Sequence, residues 1–214
     1  MFSINITFYG HALFVITTGE GKKIGTDPYN EQIRDPLPGI SADIVTSSHD
    51  HYDHANIGLF KGDPAVINTP GETVVENIRF FGIPSFHDEA EGSLRGKNII
   101  YTIKTDGLKI AHLGDLGHFP DDKQLKDLQG VDVLMIPTGG VYTINGTQAL
   151  EIINDLKPKV AIPMHYKSID TRLNVDEVSS FTRRLDSFKE IGHTINITEK
   201  NLPKDTEIWV MSSS

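Results

Sequence analysis

Cysteine is missing from this chain of 214 residues. That excludes a disulfide framework and any thiolate metal site, and it leaves His, Asp and Glu as the side chains able to hold a metal. A surplus of basic charge is missing too: 20 Lys and Arg stand against 29 Asp and Glu, a formal charge of −9. With no basic cluster, binding to nucleic acid by neutralising phosphates is not expected. No apolar run approaches the length needed to cross a bilayer. Met1-Phe2-Ser3-Ile4-Asn5 lacks the basic-then-apolar pattern of a signal peptide, so a cytoplasmic protein is expected. Repeats, low-complexity tracts and linkers rich in Gly, Ser or Pro are lacking as well, and 1–214 reads as a single domain. No Gly-rich phosphate loop is evident. Thr138-Gly139-Gly140 is too short for one and reads as a turn near the mouth of a site.

What the chain does have is Ser48-His49-Asp50-His51-Tyr52-Asp53-His54. Three imidazoles and a carboxylate fall in the order His-x-His-x-Asp-His, which no hydrophobic core requires. Imidazole nitrogen with carboxylate oxygen suits zinc, manganese or iron. His49 and His51 are two apart, so on extended backbone they point the same way. Asp53 and His54 are adjacent and diverge, so one loop is able to serve two neighbouring ions.

The hydrophobic pattern places this loop. Residues 4–8 alternate strictly, and 12–17 and 22–26 follow short Gly-containing breaks, so an antiparallel meander is expected. Residues 43–47 form a short apolar strand running into the His loop, and 65–67 and 77–86 are further strands. Residues 99–104 and 108–113, joined by Thr105-Asp106-Gly107, predict a hairpin. Helices are expected over 121–128 and along the stripe Ala149, Ile152, Ile153, Leu156, capped by Asn145 or Thr147 and stopped by Pro158. The stripe Val178, Phe181, Leu185, Phe188, after Asn174-x-x-Glu177, predicts a third. Residues 131–137 and 160–164 are continuous apolar runs, the mark of strands buried on both faces, and 207–211 is a last strand. Strands first, then strands alternating with helices, suit an α/β fold of two sheets face to face with helices outside.

A metal pair needs more ligands than one loop supplies. Outside it lie His11, His87, His112, His118, His165 and His193. His87, His165 and Asp115 each end an apolar strand signal, where a rigid element delivers a polar group to a sheet edge. Taken singly, each is better read as an exposed strand end.

Taken in order, these residues resemble the motifs of the metallo-β-lactamase superfamily: His49-x-His51-x-Asp53-His54, His87, Gly114-Asp115, and His165 in Pro163-Met164-His165-Tyr166, with Asp27 in Gly25-Thr26-Asp27-Pro28 before them. Gly10-His11-Ala12 and His112-Leu113-Gly114-Asp115 look more narrowly like its lactonase-like branch, which includes ascorbate-6-phosphate lactonase and many metal-dependent hydrolases. The resemblance runs from about Phe2 to Tyr166. It implies a four-layer αββα sandwich with a dinuclear site at one edge of the two sheets. It assigns His49, His51 and His87 to one metal, Asp53, His54 and His165 to the other, and Asp115 between them. His112 and His118 compete with His87 for the first site. Asp27 and His112 are expected to orient ligands, and His11 to face the substrate. His193 is expected at the surface, and Tyr52 and Tyr166 in packing or lining the pocket. Two divalent ions are implied, zinc first, with manganese or iron as alternatives. They would acidify a shared water for attack on an ester, lactone or phosphodiester, with Asp53 orienting the nucleophile or moving a proton.

Rival readings are an iron redox enzyme on the same scaffold and a non-catalytic metal-binding module. In the flavodiiron branch the position of His51 is typically Glu, which counts against the first. A nucleic-acid-processing relative would carry a binding arm or an inserted domain, for which there is no room. The expected partner is a small-molecule substrate, with no nucleic acid and no membrane; self-association is compatible with the sequence.

Overall fold

The computed structural model describes residues 3–34, 39–168 and 171–214. Met1 and Phe2, part of the N-terminal reading and of the resemblance, lie outside the described residues. Two mixed β-sheets pack face to face and are flanked by helices, the αββα arrangement.

The first sheet begins with the expected meander, β1 (Ile4–Phe8), β2 (Phe14–Thr17) and β3 (Lys23–Thr26), paired antiparallel. β4 (Ile44–Thr46) and β5 (Ala65–Ile67) then join in parallel, with a 3-10 turn at Ile57–Leu59 between them. The second sheet starts at β6 (Gly71–Val75), β7 (Ile78–Phe86), β8 (Lys97–Thr105) and β9 (Leu108–His112), all antiparallel neighbours. Asp106 and Gly107 close the β8–β9 hairpin with φ of 53° and 79°, the two positive angles that a tight two-residue turn needs.

After β9 the chain alternates helix and strand: α1 (Asp122–Leu128), β10 (Val133–Pro137), α2 (Gly146–Leu156), β11 (Val160–Met164). β10 and β11 are buried at every residue, since one face (Val133, Met135, Val160, Ile162) lies in the core between the sheets and the other (Leu134, Ile136, Ala161) lies against the helices. Asn145, not Thr147, caps α2: its side chain accepts from the Thr147 and Gln148 N–H groups, and Gln148 reaches back to the Asn145 N–H. Such a cap stabilises a helix by about 1 kcal/mol. Lys157 ends α2 in left-handed backbone, ahead of Pro158. Asp121 and Gln124 form the same box on α1.

The third expected helix is a correction. α3 spans only Ser179–Thr182, Val178 begins it with no side-chain cap, and Phe188 is exposed. Glu177 is held extended by a parallel bridge to Lys167, so the Asn174-x-x-Glu177 box does not form. Beyond the helix the chain enters β12 (Lys189–Ile191), which pairs with β14 (Glu207–Met211), and pairing overrides the helical period. β13 (Thr194–Ile197) crosses back to pair with β1, so the first sheet runs β13-β1-β2-β3-β4-β5. The second runs β12-β14-β11-β10-β9-β8-β7-β6.

Between the sheets, alternate residues such as Ile4, Ile6, Phe14, Phe80, Tyr101, Ile110 and Met135 interdigitate. Each fully buried side chain of this kind contributes roughly 1.5–3 kcal/mol. Ala149, Ile152, Ile153 and Leu156 of α2 cover the outer face of the second sheet. The outer face of the first sheet, Leu13, Val15 and Val45, is covered by Tyr29, Ile33, Ile40 and Phe60 from loops. Three hydrogen bonds stitch the sheets together along one edge: Ile99 N–H to Ser48 O, His165 N–H to His11 O, and His112 Nε2 to Ala12 O.

Candidate metal centre

That stitched edge gathers the polar strand ends. The turn after β1 brings His11, β3 delivers Asp27, and β4 runs into the His loop. β7 delivers His87, β9 leads to Asp115, and β11 leads to His165. His11, Asp27 and His165 have φ of 55°, 39° and 53°. Left-handed backbone in three non-glycine residues of one site carries a cost that the surrounding packing must hold in place. Gly114 (φ 55°) is needed for a second reason: a Cβ there would lie 2.4 Å from Asn98 Oδ1.

Two groups of donors result. In the outer group, His49, His51 and His87 each offer a nitrogen within 4.8 Å of the others. In the inner group, His11, Asp53, His54 and His165 do the same, and all four are buried. Asp115 Oδ2 lies between, 3.1 Å from His87 Nε2, 3.1 Å from His54 Nε2 and 3.2 Å from His165 Nε2. Within the inner group, His11 Nε2 is 3.3 Å from both His54 Nε2 and Asp53 Oδ2, and His54 Nε2 is 3.4 Å from Asp53 Oδ2.

Asp27 aims the rings. Its Oδ2 accepts from His54 Nδ1 at 2.9 Å and from Ser48 Oγ at 2.6 Å, and its Oδ1 accepts from the Ser48 N–H. Ser48 Oγ then accepts from His49 Nδ1 at 2.9 Å. One buried carboxylate thereby fixes the Nδ1 side of two rings and turns both Nε2 atoms toward the centre. Asn98 does the same for the backbone of Asp115, accepting its N–H while donating to Ser85 Oγ and Leu113 O.

Burial and mutual proximity split the protonation states. Burial, reinforced by His165, pushes His11 down to about 4, and burial with His54 pushes His49 down to about 3. Burial also opposes charge on His54, but Asp115 and Asp53 outweigh it and hold that imidazole well above its usual value. His87 is raised against burial by Asp115. Asp115 and Asp53 are held below the carboxylate range despite burial, by His165 and His54 and by His54 and His11 respectively.

Several buried atoms here find no hydrogen-bond partner among the described residues: His49 Nε2, both ring nitrogens of His165, Nδ1 of His11 and of His87, and Asp115 Oδ1. Each such orphan costs about 1–3 kcal/mol. His165 Nε2 stays unpaired 3.2 Å from a carboxylate because it is out of line for a hydrogen bond. Donors held at 2.0–2.2 Å around a tetrahedral ion lie about 3.3 Å from one another. The 3.1–3.4 Å separations match the edges of such a polyhedron. The donor set fits divalent ions.

The other candidates fall elsewhere. His112 gives Nε2 to Ala12 O and accepts the Gly114 N–H at Nδ1, so both nitrogens are occupied; it braces the turns carrying His11 and Asp115 and touches no ligand ring. His118 accepts the Phe86 N–H and donates to Phe119 O. His193 is exposed. Tyr166 is buried with its hydroxyl on Met211 O, and Tyr52 stands exposed at the mouth. His11, expected to face substrate, is instead 3% exposed and part of the inner group. Ser48 and Asn98 were not singled out from sequence; Ser48, next to His49, is the one a search beside the ligand loop would have found.

Fold and donor set together define a metal-binding αββα sandwich protein. The chain belongs to the metallo-β-lactamase superfamily: the family described as "Beta-lactamase superfamily domain" matches residues 5–165. A UPF0173 metal-dependent hydrolase of Thermoplasma volcanium is 32% identical over 194 residues, covering 78% of this chain and 85% of its own. One from Carboxydothermus hydrogenoformans is 32% identical over 200 residues, with 77% and 85% covered. A crystal structure of a proposed Zn-dependent hydrolase of the superfamily from Thermotoga maritima superposes with a TM-score of 0.83 at 38% identity, covering 99% of this chain and 100% of that one. A metallo hydrolase of Ignicoccus hospitalis, at 22% identity and a TM-score of 0.67, shares the fold. No helix among the described residues is long and apolar enough to cross a membrane.

Proposed function

We propose that this protein is a cytoplasmic, dinuclear metal-dependent hydrolase acting on an ester, lactone or phosphodiester. The observation that carries the reading is the set of imidazole and carboxylate atoms spaced as neighbours in a coordination shell, with Asp115 Oδ2 touching both groups. His49, His51 and His87 hold the outer ion. Asp53, His54 and His165 hold the inner one, joined by His11, and Asp115 lies between the two. His87 rather than His112 completes the outer site, since the nitrogens of His112 are already engaged. When bound, the ions supply Lewis acidity and an acidified water. Asp53 borders both the inner donors and a mouth cavity of 380 Å³, so its carboxylate is placed to orient a water or take its proton. The Zn-dependent description of the Thermotoga relative favours zinc, with manganese or iron as alternatives.

The test is elemental analysis of protein purified without chelator or affinity tag, followed by assays on lactones, simple esters and phosphodiesters. Two zinc or manganese ions per chain with turnover of one class support the proposal. About one iron per chain moves the redox reading forward. No metal after reconstitution leaves a non-catalytic module.

A further inference from the structure

The 380 Å³ cavity opens onto Asp53, His51, His87 and Asp115, and Arg95 forms part of its wall. A second cavity of 1000 Å³ lies on the far side of His51 and shares only that residue and Arg95 with the first. Arg95 therefore stands where the two spaces meet, beside the donors. Its guanidinium forms no ion pair among the described residues and lies 5.8 Å from the centre of the Tyr142 ring. Its side chain is exposed, but its backbone is fixed. The segment leading to it is folded around the buried carboxylate of Asp88, the residue after His87. That carboxylate accepts the N–H groups of Ala90, Gly92, Leu94 and Arg95 itself. The same loop sets Leu94 beside Arg95, and with Tyr52 and Tyr142 it gives the mouth an apolar rim.

We propose that Arg95 is the specificity residue of this site and that the substrate carries an anionic oxyacid group, carboxylate or phosphate, next to the bond that is cleaved. This rests on the reading of the cavity as the substrate entrance. Guanidinium binds either oxyanion through paired N–H donors. Two dications would exceed the charge of Asp53 and Asp115, making the floor of the cavity positive despite the chain's net −9. Asp50 and Lys97 line the larger cavity and not the smaller one, so Arg95 is, among the described residues, the one cationic side chain on the wall beside Asp53 and Asp115.

The test is binding, by calorimetry, of three non-hydrolysable anilides to the zinc-loaded protein: glutaranilic acid, its phosphonate counterpart, and its neutral N-methylamide. The wild type is expected to bind at least one acid roughly tenfold or more tightly than the amide, a margin of one charge-assisted bond. Arg95→Met should abolish that preference, Arg95→Lys should keep part of it, and Arg95→Glu should reverse it. Which acid binds tighter distinguishes carboxylate from phosphate. Equal binding of all three by the wild type, or a preference that survives Arg95→Met because the metals alone supply it, overturns the proposal. Hydrolysis of the matching esters is scored separately. Arg95-dependent binding without turnover of these esters, of lactones or of phosphodiesters keeps Arg95 as the anion-binding residue and sinks the hydrolase reading.

Discussion

The two donor groups sit side by side but differ in kind. The inner group is buried throughout, with His54 held from behind by Asp27 and its Nε2 3.3 Å from His11 Nε2. In the outer group His87 is buried, His49 is half-buried and His51 is exposed at the junction of two cavities. The contrast teaches a division of labour. The inner group concentrates charge in a dry place, where a dication relieves the most strain and exchanges slowly. The outer group gives up enclosure for access, and under the proposed function its ion would be the one that substrate reaches.

Four substitutions and one titration would break or sharpen that division. Asp115→Ala removes the oxygen common to both groups. Metal content should fall to about one ion or fewer, and turnover by roughly a thousandfold or more, since the stabilisation lost is several kcal/mol. Two retained ions with full activity would end the bridging assignment.

Next in size, His54→Ala leaves Asp27, Asp53 and Asp115 buried without their central partner. Breaking a buried pair of this kind costs about 3–5 kcal/mol, which urea unfolding of the metal-free protein would register. His51→Ala should lose one ion with little change in that unfolding curve. Equal curves for the two variants would erase the distinction between inner and outer groups.

Asp27→Asn keeps the shape but weakens the acceptor behind His54 and Ser48, and metal affinity should drop roughly 10–100-fold in a chelator competition. An unchanged affinity would show that packing alone aims the rings.

The smallest effect is in protons. A ligating imidazole must be neutral. His49, at about 3, and His11, at about 4, are neutral at pH 7 before any metal arrives. His54 is held well above its usual value and carries a proton that a metal must displace, and His87 is shifted in the same direction by Asp115. Zinc uptake at pH 7 should therefore release protons to an indicator dye, and affinity should climb as pH rises toward the raised values of these two rings. Without metal the sign for stability is opposite: His54 contributes most below its unfolded value near 6.5, and that contribution fades as pH rises through its folded value. Uptake with no proton release would place the charges elsewhere.

The fold was legible wherever a local pattern and a tertiary demand agreed. Strict alternation gave β1, unbroken apolar runs gave β10 and β11, and Asp106-Gly107 gave the hairpin. It failed where pairing at long range decided the outcome. The 178–188 stripe has a helix period, but the chain is drawn into β12 against β14, and β13 owes its existence to β1 about 190 residues earlier. β6, opening Gly71-Glu72-Thr73, was too polar to register. In the site, the His loop was legible because its donors are contiguous. His87, Asp115 and His165 were legible as polar groups ending apolar strands, but only the family resemblance assigned them as ligands, since each is a single residue. The place of His11 among the inner donors and the bracing by Asn98 exist only through space, so no spacing along the chain announces them, whereas Ser48 stands beside the ligand loop in sequence.

The donors come from five separate stretches, from His11 in the first turn to His165 after β11. Joined to common ions, they tie together segments up to about 150 residues apart, as disulfides would in a chain that had cysteine. Tying distant points restricts the unfolded ensemble by an amount that grows with the logarithm of the enclosed loop. The ions would then act as cross-links removable by chelation rather than by reduction. Its lifetime against proteases would follow the metal supply around it.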